Sequence, residues 1–144
     1  MALHRVARFA DVPDNRGLEV SIGETKIVLL RTGDQLRAYQ GECPHAGAPL
    51  AEGALCHGRL ICPWHKAAYR MEDGALCEPP SLDSLKRYPL ELRDDEIWVD
   101  EYPLPNAHTP PADDDRTFVI IGAGAAGTAC AAALREKGLG GRIQ

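Results

Sequence analysis

The chain has 144 residues, enough for one core of ordinary size and a small additional piece. Its 44% hydrophobic and 26% charged residues are the make-up of a soluble globular protein, and a formal charge of −5 gives no reason to expect nucleic acid or an anionic membrane surface as partner. No segment approaches the roughly twenty apolar residues of a membrane span. Met1–Arg8 has basic residues but no apolar run behind them, so nothing reads as a signal peptide and the expected location is the cytoplasm.

His4–Phe9 alternates apolar and polar residues and predicts an opening strand, with a turn over Pro13–Gly17. Leu18–Ile22 alternates strictly, the pattern of a half-buried strand. Lys26–Arg31 is β-branched and apolar and predicts a more fully buried one, followed across Thr32–Asp34 by Gln35–Gln40. Connections this short exclude helical crossovers, so Leu18–Gln40 reads as an antiparallel meander. Two turn-rich loops follow, Cys43-Pro44-His45 and Cys62-Pro63-Trp64-His65, separated by the sixteen residues Ala46–Ile61. Strand-like pieces Arg59–Cys62 and Ala67–Arg70 flank the second loop. Asp73-Gly74 signals a hairpin, and Glu78-Pro79-Pro80-Ser81 is a proline-rich loop. Leu85–Leu92 and Glu96–Asp100 predict a last hairpin around Arg93–Asp95.

Every clear element up to residue 102 is a strand, so residues 1–102 form an all-β domain. Residues 103–116, rich in proline and aspartate, read as an extended, solvated linker. The rest, 117–144, changes character. Thr117–Ile121 predicts a buried, parallel-type strand. It leads into a GxGxxG turn at Gly122, Gly124 and Gly127 and an alanine-rich helix closed by Gly138. Of the five cysteines, Cys56, Cys77 and Cys130 lie outside the two donor loops. An odd remainder argues against a disulfide framework, and these thiols are expected to be small buried hydrophobes.

Each donor loop carries one thiol and one imidazole. A structural zinc accepts the same ligand types, so a zinc-stabilised Cys2His2 interaction module is one reading, although zinc fingers usually group Cys with Cys and His with His. A C-x-H loop paired with a C-x-x-H loop is also what a Rieske [2Fe–2S] centre needs. The surrounding residues resemble that family: Cys43-Pro44-His45-Ala46-Gly47-Ala48-Pro49-Leu50, Gly53, and Cys62-Pro63-Trp64-His65. The resemblance implies an antiparallel β sandwich with a cluster-binding loop subdomain. Cys43 and Cys62 would hold one iron, and His45 and His65 the other. It also implies a proline-rich cover loop at Pro79. High-potential relatives brace their loops with a disulfide, whose positions here are Gly47 and Trp64, so that bridge cannot form. After the second histidine they have glycine, serine and, two residues on, tyrosine. Here these are Lys66, Ala67 and Tyr69. The missing hydroxyl and disulfide imply a low-potential, ferredoxin-type centre near roughly −150 mV. Lys66 in the glycine position needs a φ compatible with a non-glycine residue, or accepts some strain.

The tail resembles the first βαβ unit of FAD-binding pyridine-nucleotide oxidoreductases. The expected acidic residue about twenty positions on is absent, because the chain stops at Gln144, where the second strand would begin. One strand and one helix have no sheet to join. The segment therefore reads as an orphan Rossmann βα fragment that packs on a neighbouring molecule, giving a homodimer, or frays. The chain is then expected to be the N-terminal part of a longer polypeptide, a Rieske module fused to an FAD-dependent NAD(P)H oxidoreductase of the apoptosis-inducing-factor-like or ferredoxin-reductase type. FAD would belong to that full-length parent only. The expected partners are the flavoprotein domain in cis and an electron acceptor reached through the exposed histidine edges. The chain by itself would carry electrons, with no catalytic residue of its own. A second reading is the ferredoxin component of a ring-hydroxylating dioxygenase.

Overall fold

In a computed structural model describing residues 2–105 and 114–144, the segment Thr25–Thr32 runs between two hydrophobic cores. Ile27 and Leu29 face one core, and Val28 and Leu30 face the other. All four are essentially without exposure, each contributing on the order of 1.5–3 kcal/mol of burial. The period of two along one strand thus serves two packing layers at once, which is why this run lacks polar alternation.

The described residues divide into two compact units between Leu104 and Pro105. The first contains β1 (Leu3–Arg8), β2 (Gly17–Ile22), β3 (Thr25–Thr32), β4 (Gln35–Gln40), β5 (Ala54–Cys56), β6 (Arg59–Ile61), β7 (Ala68–Arg70), β8 (Leu76–Glu78), β9 (Arg87–Tyr88), β10 (Leu90–Arg93) and β11 (Glu96–Asp100). They form three antiparallel sheets, ordered β1-β11-β10, β2-β3-β4-β9 and β5-β6-β7-β8. The meander predicted over Leu18–Gln40 is the β2-β3-β4 run. Ile27, Leu29, Ala38, Tyr88, Ile97 and Val99 join this central sheet to the first sheet. Val28, Leu30, Tyr39, Leu60 and Tyr69 join it to the third. Tyr39 also donates a hydrogen bond of 2.7 Å to the Met71 carbonyl, tying the central sheet to the short-stranded one.

The hairpin expected from Leu85–Leu92 is divided. Arg87–Tyr88 pairs with β4 in the central sheet, whereas Leu90–Arg93 pairs with β11 in the first sheet. Pro89 separates them. Without an N–H it cannot continue a ladder, so the chain changes sheets there. The turn into β11 uses Asp94 and Asp95 at φ 47° and 68°, the doubly left-handed geometry that suits strand twist.

The second unit contains β12 (Thr117–Phe118), α1 (Ala125–Glu136) and β13 (Arg142–Ile143). Here the expectation needs correction. β12 and β13 pair in parallel, Thr117 opposite Arg142 and Phe118 opposite Ile143, so the helix already serves as a crossover between two short strands. The predicted burial of Thr117–Ile121 also fails: Phe118 and Val119 are exposed, and Ile121 is 98% exposed. A two-stranded parallel pair has no further strands or helices to cover its apolar residues. Most of the linker expected at 103–116 lies outside the described residues. No helix among those described is long and apolar enough to cross a membrane.

Candidate metal centre

The two donor loops are the same six-residue turn built twice. In the first, the Cys43 amide donates to the Ala48 carbonyl and the Gly47 amide to the Cys43 carbonyl, both at 2.8 Å. In the second, Cys62 donates to Ala67 at 2.8 Å and Lys66 to Cys62 at 3.3 Å. The first is pinned at its base by Gly41, whose amide donates to Lys26 and whose carbonyl accepts from Leu50. The second is held between β6 and β7. Each turn closes through a left-handed residue, Gly47 at φ 76° and Lys66 at φ 66°.

These turns sort the four donors by depth. Cys43 and Cys62 are buried in the same core cluster. His45 and His65 are exposed, with ring centroids 4.8 Å apart at an interplanar angle of 85°. Among the described residues no three His, Cys, Asp or Glu side chains gather round one point; these four form an inner thiol pair and an outer imidazole pair. Burial pushes the Cys62 thiol up, and the Cys43 thiol adds to this. The backbone amides of His65 and Trp64 act the other way by donating to its sulfur. Amides aimed at a buried sulfur stabilise the thiolate a metal ligand must be. The donor set therefore fits a two-metal group with thiolates on the inner metal and imidazoles on the outer one.

Tyr69 is fully buried, and its hydroxyl lies 3.1 Å from Cys43 Sγ. Burial holds its phenol well above the usual range, and the neighbouring Cys43 adds to the effect. Trp64 is 55% exposed, edge-on to His65 with centroids 6.4 Å apart. Lys66 turns its ammonium back on its own loop, where Nζ donates to the Pro63 carbonyl at 2.9 Å. Pro79 and Pro80 are both exposed. The residue their loop sends inward is Ser81, 1% exposed, whose Oγ donates to the Asp83 carbonyl at 3.0 Å and accepts from the Asp83 amide at 3.3 Å. Sequence reasoning passed over Ser81. Its only signal was its place directly after the proline pair, and a serine there reads equally well as a surface turn.

The remaining cysteines overturn an expectation. Cys56, Cys77 and Cys130 are exposed. Cys56 ends an edge strand beside the His57-Gly58 turn, with its sulfur 3.0 Å from His57 Nδ1. Three-residue strands at a sheet margin have too little neighbouring mass to cover such positions.

In the second unit the three fingerprint glycines occupy distinct environments. Gly122 has φ 102°, making the turn out of the strand. Gly124 caps α1, and a side chain there would meet nothing within 4 Å. Gly127 packs so closely that a Cβ would lie 2.0 Å from the Gly122 carbonyl oxygen.

The family model for the Rieske [2Fe-2S] domain matches residues 2–89. Apoptosis-inducing factor 3 of Homo sapiens is 32% identical over 151 aligned positions, covering 96% of this chain and 25% of the human protein. The chain thus spans about a quarter of the length of these relatives. The 3-phenylpropionate/cinnamic acid dioxygenase ferredoxin subunit of Escherichia coli (strain K12) is 33% identical, covering 68% of this chain and 90% of that subunit. Among solved structures, the ferredoxin of carbazole 1,9a-dioxygenase from Nocardioides aromaticivorans IC177 superposes with a TM-score of 0.65 at 23% identity, over 69% of this chain and 97% of its own, and shares the fold. A chain in the complex of reduced oxygenase and oxidized ferredoxin in carbazole 1,9a-dioxygenase gives 0.67 at 25% identity, over 72% and 96%. With matched residues that include both donor loops, the chain belongs to the Rieske [2Fe–2S] family.

Proposed function

We propose that this chain passes single electrons through a [2Fe–2S] cluster held by Cys43 and Cys62 on the inner side and His45 and His65 on the outer side, as the electron-transfer module of an NAD(P)H-dependent flavoprotein oxidoreductase. The observation that carries this reading is the buried thiol pair beneath an exposed imidazole pair. When bound, the cluster supplies one-electron transfer and no bond-making chemistry. The protein's part is to hold four donors on two doubly anchored turns, so that little moves when charge arrives. His45 and His65 each have a second ring nitrogen to present to a partner. The test is the electron paramagnetic resonance spectrum of the dithionite-reduced protein, with iron and zinc assayed on the same sample. An anisotropic signal typical of mixed Cys/His ligation, with two irons per chain, is expected. One zinc, no iron and no signal after reconstitution with iron and sulfide would replace this reading by a zinc-stabilised interaction module.

The flavoprotein context is supported by the similarity to apoptosis-inducing factor 3 extending over 96% of the chain, and by the roles of its tail glycines. A tight turn at Gly122, an open approach at Gly124 and close packing at Gly127 are what the pyrophosphate of FAD requires of this motif. The second reading, a ferredoxin component feeding a ring-hydroxylating dioxygenase, draws on the similarity that spans 90% of a dioxygenase ferredoxin subunit. The protein isolated from its native source separates them. One FAD per two irons, reduced by NADH or NADPH, supports the first; a flavin-free protein that reduces a terminal oxygenase supports the second.

A further inference from the structure

The second donor turn closes one end of the β6-β7 hairpin, and a cleft of about 620 Å³ opens at the other. β6 runs into that turn and β7 leaves it, so Arg59 and Arg70, opposite each other in register, are the strand residues farthest along the chain from the turn. The cleft lies between this hairpin end and the neighbouring end of β3 and β4 in the central sheet, with Leu30 and Met71 in its apolar lining. Its volume falls within the roughly 300–1,000 Å³ of small-molecule sites.

The charge of this cleft runs against that of the chain. The sequence has 21 acidic residues to 16 basic ones, yet Arg37, Arg59 and Arg70 line the cleft against Glu72 as its one carboxylate among the described residues. Like charges directly opposite across a ladder, as Arg59 and Arg70 are, destabilise a sheet. Asp73 accepts from Nε and Nη2 of Arg70 at 2.9 and 2.8 Å, and Glu78 accepts from Nη1 of Arg59. Neither of these two carboxylates lines the cleft, and Nη1 of Arg70 and Nη2 of Arg59 take no part in the two pairs. Arg37 donates to the Leu36 carbonyl at 2.9 Å and to the Gln35 side chain at 3.3 Å, and among the described residues it is in no ion pair.

We propose that this cleft binds an organic phosphate of nucleotide size, with its phosphate oxygens on Arg37, Arg59 and Arg70 and its organic part against Leu30 and Met71. A guanidinium presents a planar fork of donors that matches phosphate oxygens, and three of them about one cavity suit a group carrying two or more negative charges. The volume leaves room for more than the phosphate, and the apolar lining gives that remainder a surface to cover.

The test is a titration of the full chain with ADP and, separately, with inorganic pyrophosphate at low ionic strength, followed by backbone amide resonances. Saturable shifts are expected at Arg37, His57–Arg59 and Arg70–Glu72, with ADP binding more tightly than pyrophosphate. Arg37→Gln, which strands no carboxylate, is expected to weaken ADP binding roughly tenfold. Arg70→Lys, which keeps the charge but loses the fork, is expected to weaken it as well. Absence of saturable shifts at millimolar ligand, or shifts centred away from the cleft, overturns the proposal. So does wild-type affinity in both variants, and pyrophosphate binding as tightly as ADP refutes an organic ligand. If the unliganded spectrum of Arg37→Gln departs from wild type beyond the cleft, Arg70→Lys decides. None of these readouts depends on the cluster, so their failure leaves the electron-transfer reading standing.

Discussion

Gly47 and Lys66 hold equivalent places in the two donor turns, at φ 76° and 66°, each donating its amide to the carbonyl of the cysteine four residues earlier. One turn has the residue the conformation favours; the other has a lysine. A left-handed conformation costs an L-residue about 1–2 kcal/mol, and the hydrogen bond from Lys66 Nζ to Pro63 offsets only part of that.

Lys66→Gly is therefore expected to stabilise the fold by about 1 kcal/mol. Gly47→Ala is expected to destabilise it by a similar amount, about 1 kcal/mol, through conformation alone, since nothing lies within 4 Å of a Cβ built there. Urea denaturation of both variants checks the pair. A destabilised Lys66→Gly protein would mean that the ammonium–carbonyl bond outweighs the strain.

The four donors are expected to act as a set. Cys43→Ser, Cys62→Ser, His45→Ala and His65→Ala should each lose the visible absorption and most of the iron. The cysteine variants should lose more than the histidine variants, because the thiols are the buried pair. Iron, sulfide and absorbance measured on freshly reconstituted protein decide this, and full retention of two irons by any variant removes that residue from the ligand set.

The midpoint potential itself should lie towards the lower end of the Rieske range, near roughly −150 mV. Tyr69 is in contact with Cys43, but Ala67 has no hydroxyl, and Gly47 and Trp64 cannot form a disulfide. Direct electrochemistry reads it, and a value in the upper half of that range would contradict the reasoning.

Tyr39 links the central sheet to the β5-β6-β7-β8 sheet by its bond to Met71. Burial pushes its phenol up to about 12, above the ordinary value of 10.0. The neutral form is thus favoured by the fold, and its contribution is complete below pH 10 and lost as pH rises towards 12. The loss should be on the order of 2 kcal/mol at one pKa unit per 1.36 kcal/mol. Denaturant titrations of wild type and Tyr39→Phe from pH 8 to 12 test it: the difference in stability should shrink over the upper part of that window.

Gly127→Ala should break the second unit and leave the first intact, because its Cβ would fall 2.0 Å from the Gly122 carbonyl oxygen. Hydrogen exchange gives the readout. Amides of α1 and the β12–β13 pair should lose protection while β2–β4 keep theirs.

The properties read from the sequence are those carried by near neighbours in the chain. Cysteine and histidine placed two and three residues apart identify the donor loops, because a metal ligand set is a matter of local spacing. Alternation in Leu18–Ile22 and its loss in Lys26–Arg31 identify strands covered on one face and on both. The glycine spacing after Val119-Ile120-Ile121 identifies a turn into a helix. What only the tertiary structure decided depends on which distant segments meet. Pro89 breaks a predicted strand because its two halves join different sheets. Cys56, Cys77 and Cys130 are exposed because their elements lie where nothing covers them, although a cysteine by itself predicts burial. Tyr69 reaches Cys43 across a chain separation that no periodicity encodes. The local pattern determines which residues can bind a metal; the packing of three sheets determines which thiols are inside, which imidazoles face outward, and which hydroxyl stands behind the sulfur.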